Sequence, residues 1–287
     1  MSAVKERSFG RLMIVVTALL WGLAGVCVKS VTWGAMSIVA VRSVISMIML
    51  LIAKGSLRLK FTRSNIIAAV SMSVTGILYI YAITLTTAGT AIVLQYIAPI
   101  LVYLYSVIFK KKKIKAAELV LTLAVFAGCV LSFADSLDFT RLLGNLLALA
   151  SGFTFAAQII FMNARQCDAT DCSIISNGIS ILFCTPFMFF DPGLIFSLKN
   201  IVWVLIAGVF QYGLANIIFA RNVQKVDRIE VALLLTIEPI FNPIPVLLLC
   251  GEKMSLTAVI GAAVVIISVA VYSMLPRLRK LRASRRS

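Results

Sequence analysis

The sequence predicts an all-α membrane protein with ten transmembrane helices that form two inverted five-helix repeats. Three observations lead to this fold class: the composition, ten long apolar windows, and the basic residues between those windows. Of the 287 residues, 61% are hydrophobic and only 13% are charged, with a mean hydropathy of +1.04. Soluble domains carry about 25% charged residues. A soluble enzyme is excluded, because a water-soluble chain of this length could not bury so much apolar surface.

The apolar windows are long enough to cross a bilayer as helices, since about 20 residues span its hydrocarbon core. Consecutive residues are apolar in each window, whereas barrel strands would alternate. The first window follows Lys5 and Arg7 as a signal peptide would, but it is too long and lacks a small-residue cleavage site. We therefore expect a retained helix. The windows are 12–31, 35–53, 65–85, 88–109, 116–134, 144–163, 172–190, 200–219, 230–250 and 256–275.

The lysines and arginines predict the topology. With a cytoplasmic N-terminus, 22 of the 27 lie on the cytoplasmic side, four lie opposite, and Arg42 lies inside the second window. This positive-inside pattern places both termini in the cytoplasm of a cell (inner or plasma) membrane. The net charge of +16 then indicates contact with anionic lipids rather than with nucleic acid. The basic tail 276–287 extends this cytoplasmic charge.

Missing residue types exclude several activities. The chain has no histidine, which excludes Ser-His and Cys-His nucleophilic sites. No P-loop motif is present, so any work that the protein does draws on a gradient rather than on its own ATP hydrolysis. We expect no cofactor and no metal, and we interpret the six cysteines as free thiols. An intramembrane enzyme is a poor hypothesis because paired intramembrane aspartates are absent.

An internal repeat divides the chain into 1–135 and 142–275. Pro99 and Pro239 lie at the middle of the fourth and ninth windows, 140 residues apart. Because five is an odd number, the second half must enter the membrane in the opposite orientation. Inverted repeats of this kind place a substrate site near the midplane, at interrupted helices.

Several short motifs resemble the EamA-type members of the drug/metabolite transporter superfamily. They are Trp21-Gly22, Arg42, the mid-window Pro99, and Glu238-Pro239 followed by Gly251-Glu252. The resemblance covers essentially the whole chain. It implies a ten-helix inverted-repeat carrier with a central cavity, which moves small metabolites or amphipathic compounds, often outward. Two departures stand out: Lys110–Lys113 replace a Gly-Glu pair, and no acid lies between Arg11 and Lys54, where small relatives carry a proton-coupling carboxylate.

Glu238 is the most informative polar residue, because a charge at the bilayer centre costs at least about 2.5–3.5 kcal/mol. It lies eight residues into the ninth window, just before Pro239 and Pro243, which remove backbone donors and predict a kinked helix. Asn242 lies one turn further on the same face. Two interpretations remain open. Glu238 lines a translocation path and binds a cation or a proton, or it stabilises the kink.

Further polar and aromatic residues lie inside the windows. Together they predict a small-molecule cavity with an aromatic wall and polar anchors, although for any one of them alone we favour hydrogen bonding between helices. For Arg42 we favour a structural ion pair or a position at the outer interface over binding of a substrate carboxylate. The predicted path residues besides Glu238 and Asn242 are Trp21, Arg42, Tyr79, Gln95, Tyr96, Gln158 and Gln211.

These features favour a secondary active transporter of small metabolites, amino acids or amphipathic compounds that works by alternating access, with proton coupling as one option. The alternative is a non-transporting membrane scaffold or sensor, which the absence of a soluble domain disfavours.

A stripe of small residues every fourth position, Gly144 to Ala156, suits close helix packing. That packing lies either within the bundle or between the protomers of a homodimer.

Overall fold

The structure is a computed structural model that describes residues 3–86, 88–113, 115–137, 139–241 and 256–284. The described residues form α-helices, short 3-10 turns and one π-helical stretch, Ala207–Leu214. The α-helices of the first half are α1 (Ala3–Trp21), α2 (Ala24–Lys29), α3 (Ala35–Lys54), α4 (Arg63–Leu85), α5 (Ala88–Gln95), α6 (Ala98–Ile108) and α7 (Ala116–Ser132). Those of the second half are α8 (Leu142–Met162), α9 (Ala169–Met188), α10 (Leu198–Ile206), α11 (Ala215–Asn222), α12 (Arg228–Leu235), α13 (Ile237–Phe241) and α14 (Leu256–Ser284).

Eight segments of the described chain are long and apolar enough to cross a membrane. The helix α7 is apolar but has only 17 residues. The ninth window, 230–250, contains α12 and α13 and then continues outside the described residues. The structure therefore shows a helical protein with eight candidate spans. These are Lys5–Val28, Ala35–Lys54, Arg63–Leu85, Gly89–Ile108, Leu142–Met162, Ala169–Met188, Leu198–Lys225 and Leu256–Leu275.

The outer surface carries large apolar side chains, which water would not tolerate at this density but which lipid chains match. Leu182, Phe190 and Ile267 are examples, each more than half exposed. Helix ends are capped by side chains that accept hydrogen bonds from otherwise unpaired backbone N–H groups: Thr62 begins α4, and Asp168 begins α9. At these two helices the apolar run forms the helix, and the cap sets where it begins.

Both mid-window prolines coincide with a break in a helix. The helix α5 ends at Gln95, and α12 ends at Leu235, 140 residues later. Proline lacks the N–H that would bond to the carbonyl four residues earlier, so Pro99 leaves the Gln95 carbonyl free and Pro239 leaves that of Leu235. The two breaks therefore lie at corresponding places in the two halves.

Packing between helices also follows the repeat. Suppose that α1–α2, α3, α4, α5–α6 and α7 correspond to α8, α9, α10–α11, α12–α13 and α14. The largest interfaces between the repeats then have a counterpart or map onto themselves. The contact of α4 with α8 corresponds to that of α11 with α1. The contact of α6 with α8 corresponds to that of α12 with α1. The contact of α4 with α9 corresponds to that of the π-helical stretch with α3. The pairs α3–α9, α6–α12 and α7–α14 map onto themselves.

The stripe of small residues on α8 packs within the chain. A Cβ added to Gly144 would lie 2.9 Å from the Thr86 backbone nitrogen, and one added to Gly152 would lie 2.8 Å from the Gln95 carbonyl oxygen. Both distances are too short for a real contact, so these positions require glycine. The sequence predicts close packing of this stripe either within the bundle or between protomers, and the structure shows packing within the bundle.

Candidate functional site

A cavity of about 80 Å³ lies between the two repeats, next to both helix breaks. Its walls come from α1, α2, α3, α4, α5, α8, the π-helical stretch and α13. Seven residues predicted from the sequence line it: Trp21, Arg42, Tyr79, Gln95, Gln158, Gln211 and Glu238. Tyr96 lies directly behind this wall. Asn242 and Pro243 lie outside the described residues.

One wall of the cavity is aromatic. Trp21 of α1 meets Phe155 of α8 edge-on, with ring centroids 6.4 Å apart, and Phe219 lies 5.1 Å from Trp21 on its other side. Trp21 and Phe155 are 134 residues apart on the first helices of the two repeats. The repeats therefore contribute equivalent aromatic rings to one cavity, and that spacing is the signal by which the sequence could have identified Phe155.

Glu238 lies at the break between α12 and α13, with its side chain in the cavity wall. The Tyr96 hydroxyl lies 2.8 Å from Glu238 Oε2 and 2.9 Å from the Leu235 carbonyl oxygen, the carbonyl that Pro239 leaves free. Gly22 allows α1 to approach this break, because a Cβ there would lie only 3.2 Å from the Glu238 carbonyl oxygen. Tyr96 thus links the broken helix of one repeat to that of the other.

Arg42 is buried inside the bundle and faces the cavity, with only 4% of its surface exposed. Its guanidinium carbon lies 4.5 Å from the centroid of the Tyr212 ring, a cation–π contact. Among the described residues no ion pair includes Arg42, and its Nε has no hydrogen-bond partner. The structure therefore differs from both arrangements that we favoured for Arg42, a structural ion pair and a position at the outer interface.

The π-helical stretch was not predicted. It carries Gln211 and Tyr212 into the cavity, and its wider turn is typical of functional sites. Close packing against α3 constrains it, since a Cβ on Gly208 would lie 2.5 Å from Ile45 Cδ1. The sequence does not reveal Tyr212 as the partner of Arg42, because no local pattern encodes a π-helical turn.

Contacts between the repeats differ at the two ends of the bundle. At one end, which we call the basic face, Arg7 and Arg11 of α1 lie 2.7 and 2.6 Å from the Glu230 carboxylate of α12. At the opposite face, Thr86 donates to Asn145 of α8 at 2.8 Å. Asp191 there accepts hydrogen bonds from Gly34 N and from the Ser37 hydroxyl.

A second cavity, of about 730 Å³, opens at the basic face. We call it the basic vestibule. Its charged lining residues are Arg7, Lys110, Arg165, Lys225, Arg228 and a single acid, Asp227. Ile160 and Phe161 of α8 also line it, and Gln158 of the same helix lines the central cavity. The helix α8 therefore contributes to the walls of both cavities.

The described cysteines are free thiols, and the sulfur atoms of Cys167 and Cys172 lie 2.9 Å apart. Cys167 lies in the connection between α8 and α9, and its hydrogen bond with Cys172 lowers the pKa of the Cys167 thiol. Within the described part of the chain, no group of three or more acids and cysteines could hold a metal ion.

The fold and the cavity define a helical membrane protein built from two repeats around a central site. The chain belongs to the EamA-like transporter family, which matches residues 8–134 and 142–274, one match per repeat. Members of this family are typically membrane transporters rather than enzymes. No curated protein matches the chain. A solved structure described as "Crystal structure of protein" has the same fold, with a TM-score of 0.81 at 18% identity, and the match covers 94% of this chain and 98% of that one.

Proposed function

We propose that this protein is a secondary active transporter that carries small metabolites, amino acids or amphipathic compounds by alternating access. The observation that supports this most strongly is the central cavity, which both repeats line next to both helix breaks. A site at the interface of two repeats can face either side when one repeat rocks against the other. In each cycle the contacts between the repeats then break first at one face of the bundle and later at the other.

The proposal includes ten transmembrane helices, inverted repeats, and both termini in the cytoplasm of a cell membrane. The paired helix interfaces support the repeat, and the partition of lysines and arginines supports the orientation. In this orientation the basic face is cytoplasmic, where anionic lipids attract its charge. In this proposal the helix α7 is the fifth span, and the apolar window 230–250 is the ninth.

Glu238 is the coupling group in this proposal. The Tyr96 hydroxyl has one hydrogen but contacts two acceptors, Glu238 Oε2 and the Leu235 carbonyl oxygen. Protonation of Glu238 resolves the competition, because Glu238 then donates to the Tyr96 oxygen and Tyr96 donates to Leu235. Gain or loss of this proton changes a contact between the two repeats, which is the link that proton-driven transport requires.

The test is flux into proteoliposomes that contain the purified protein, with a pH gradient and a panel of radiolabelled metabolites. We expect wild-type flux of at least one compound above protein-free vesicles, and loss of its pH dependence in Glu238→Gln. Glu118→Gln is the matched control, because Glu118 lies beside Lys112 and Lys115, away from the central cavity. Background flux for the whole panel contradicts the proposal and favours a membrane scaffold or sensor.

A further inference from the structure

We infer that the central cavity binds a small organic carboxylate, with the carboxylate group on the Arg42 guanidinium. This inference rests on the proposed function and deepens it by naming the chemical class of the solute. It is supported by the surroundings of Arg42, by two further unpaired polar atoms in the same cavity, and by the charge of the neighbouring vestibule.

A buried guanidinium without an acid is expensive in a membrane protein, so an anion is the expected partner. Arg42 has no carboxylate within ion-pair distance in the described part of the chain, and its Nε–H is unpaired. The Tyr212 ring supports one face of the guanidinium and leaves its edge free. Opposite that edge is Gly76, where an added Cβ would lie 3.5 Å from Arg42 Nη2. The planar fork suits a carboxylate, which accepts two parallel N–H bonds.

Two other buried polar atoms in the wall of the same cavity lack a hydrogen-bond partner, Trp21 Nε1 and Gln211 Oε1. Together with Arg42 Nε, three such atoms lie around one cavity, where a polar ligand would supply their missing partners. The Trp21 N–H is a second donor for an anion. Gln211 Oε1 needs a donor, which a hydroxyl or ammonium substituent on the solute supplies.

The basic vestibule provides independent support. Five cations and one acid line it, and the helix α8 contributes both to its wall and to that of the central cavity. An electropositive opening of this kind raises the local concentration of anions and repels cations. Its charge therefore favours the same class of solute as Arg42.

Charge balance fits a carboxylate bound together with one positive group. The empty cavity contains one cation, Arg42, and one acid, Glu238. A bound carboxylate would leave a net negative charge in the membrane unless Glu238 binds a proton or the solute carries its own ammonium group. In either case the net charge of the cavity is the same with and without solute. The repeats can therefore reorient in the loaded state as well as in the empty state.

The test compares four-carbon probes that differ in charge and polar group: butyrate, 2-aminobutyrate, butyramide and butylammonium. Each is titrated against the purified full-length protein at fixed ionic strength, and the thermal midpoint is recorded, because binding to the folded state raises it. We expect the two carboxylates to bind at least about tenfold more tightly than the amide or the amine, as a charge-assisted bidentate contact requires. Arg42→Gln should remove this preference, Arg42→Lys should weaken it, and Arg63→Gln, at an exposed position outside the central cavity, should preserve it.

The inference is overturned if wild type responds equally to butyrate and butyramide, if butylammonium binds best, if none of the probes binds, or if Arg42→Gln keeps the preference. If Arg42→Gln does not fold, the ranking of probes in wild type and Arg42→Lys decides. Flux in proteoliposomes is a separate measurement that does not depend on the ranking of the probes by binding. Transport without carboxylate preference removes the inference alone, whereas carboxylate binding without any transport removes the proposed function alone.

Discussion

The two repeats meet at both faces of the bundle through corresponding helices, but with different chemistry. At the basic face, Arg7 and Arg11 of α1 bind the buried carboxylate of Glu230 on α12. At the opposite face, Asn145 of α8 accepts a hydrogen bond from Thr86 just before α5. Arg11 and Asn145 are 134 residues apart, the same spacing as the starts of the two family matches, 8 and 142. One repeat position therefore carries a charge at one face and a neutral amide at the other.

This chemical difference affects the free energy that is needed to separate the two repeats at each face. Removing one partner of a buried ion pair costs about 3–5 kcal/mol. A neutral hydrogen bond contributes about 0.5–1.5 kcal/mol. Asp191 adds a charged acceptor at the opposite face, but it is only half-buried. For the alternating-access cycle proposed above, this difference predicts that opening the basic face is the harder step.

The largest effect is expected for Glu230→Gln, which leaves two arginines without their carboxylate. Arg7 remains 42% exposed and can find water, so we expect a loss of about 3 kcal/mol, the low end for a buried pair. The measurement is the free energy of unfolding in detergent, with amide hydrogen exchange over 228–235. Glu6→Gln, an exposed acid of the same helix α1, is the matched control and should have no effect. Unchanged exchange in Glu230→Gln would show that this ion pair does not hold the basic face.

An intermediate effect is expected for Tyr96→Phe, which removes the hydroxyl between Glu238 and Leu235. The buried carbonyl and carboxyl lose their partner, which costs about 1–3 kcal/mol. We also expect the pH profile of flux to shift, because Glu238 loses its neighbour. Tyr81→Phe, on an exposed tyrosine of α4, is the control for both readouts. A change in stability without a change in pH profile would assign Tyr96 to the helix break alone.

The smallest effect is expected for Thr86→Val, which keeps the side-chain shape and removes the hydrogen bond to Asn145. We expect a loss of about 0.5–1.5 kcal/mol in the free energy of unfolding and faster hydrogen exchange around the start of α8. A loss as large as that of Glu230→Gln would contradict the proposed asymmetry between the two faces.

Much of the fold follows from the sequence, because long apolar windows can only form helices in a bilayer and prolines break them locally. Pro99 and Pro239 lie at the helix breaks of the structure for this reason. The grouping of Glu238, Gln158 and Gln211 also follows, since intramembrane polar residues turn away from lipid. The partner of Arg42 could not be predicted. It depends on a π-helical turn that places Tyr212 against α3, and on the absence of a carboxylate within ion-pair distance among the described residues, both of which are properties of the tertiary packing.

The central claim is that solute passes through the cavity between the two repeats, and the glycines of the chain offer a direct test. Gly76 faces this cavity, with Arg42 Nη2 and the Tyr212 hydroxyl 3.5 and 4.0 Å from an added Cβ, whereas a Cβ on Gly178 of α9 would meet nothing within 4 Å. The measurement is solute flux in proteoliposomes for Gly76→Leu and Gly178→Leu, at equal amounts of folded protein. The account predicts that Gly76→Leu fills the cavity and reduces flux to background while Gly178→Leu transports like wild type. Wild-type flux in Gly76→Leu would contradict it.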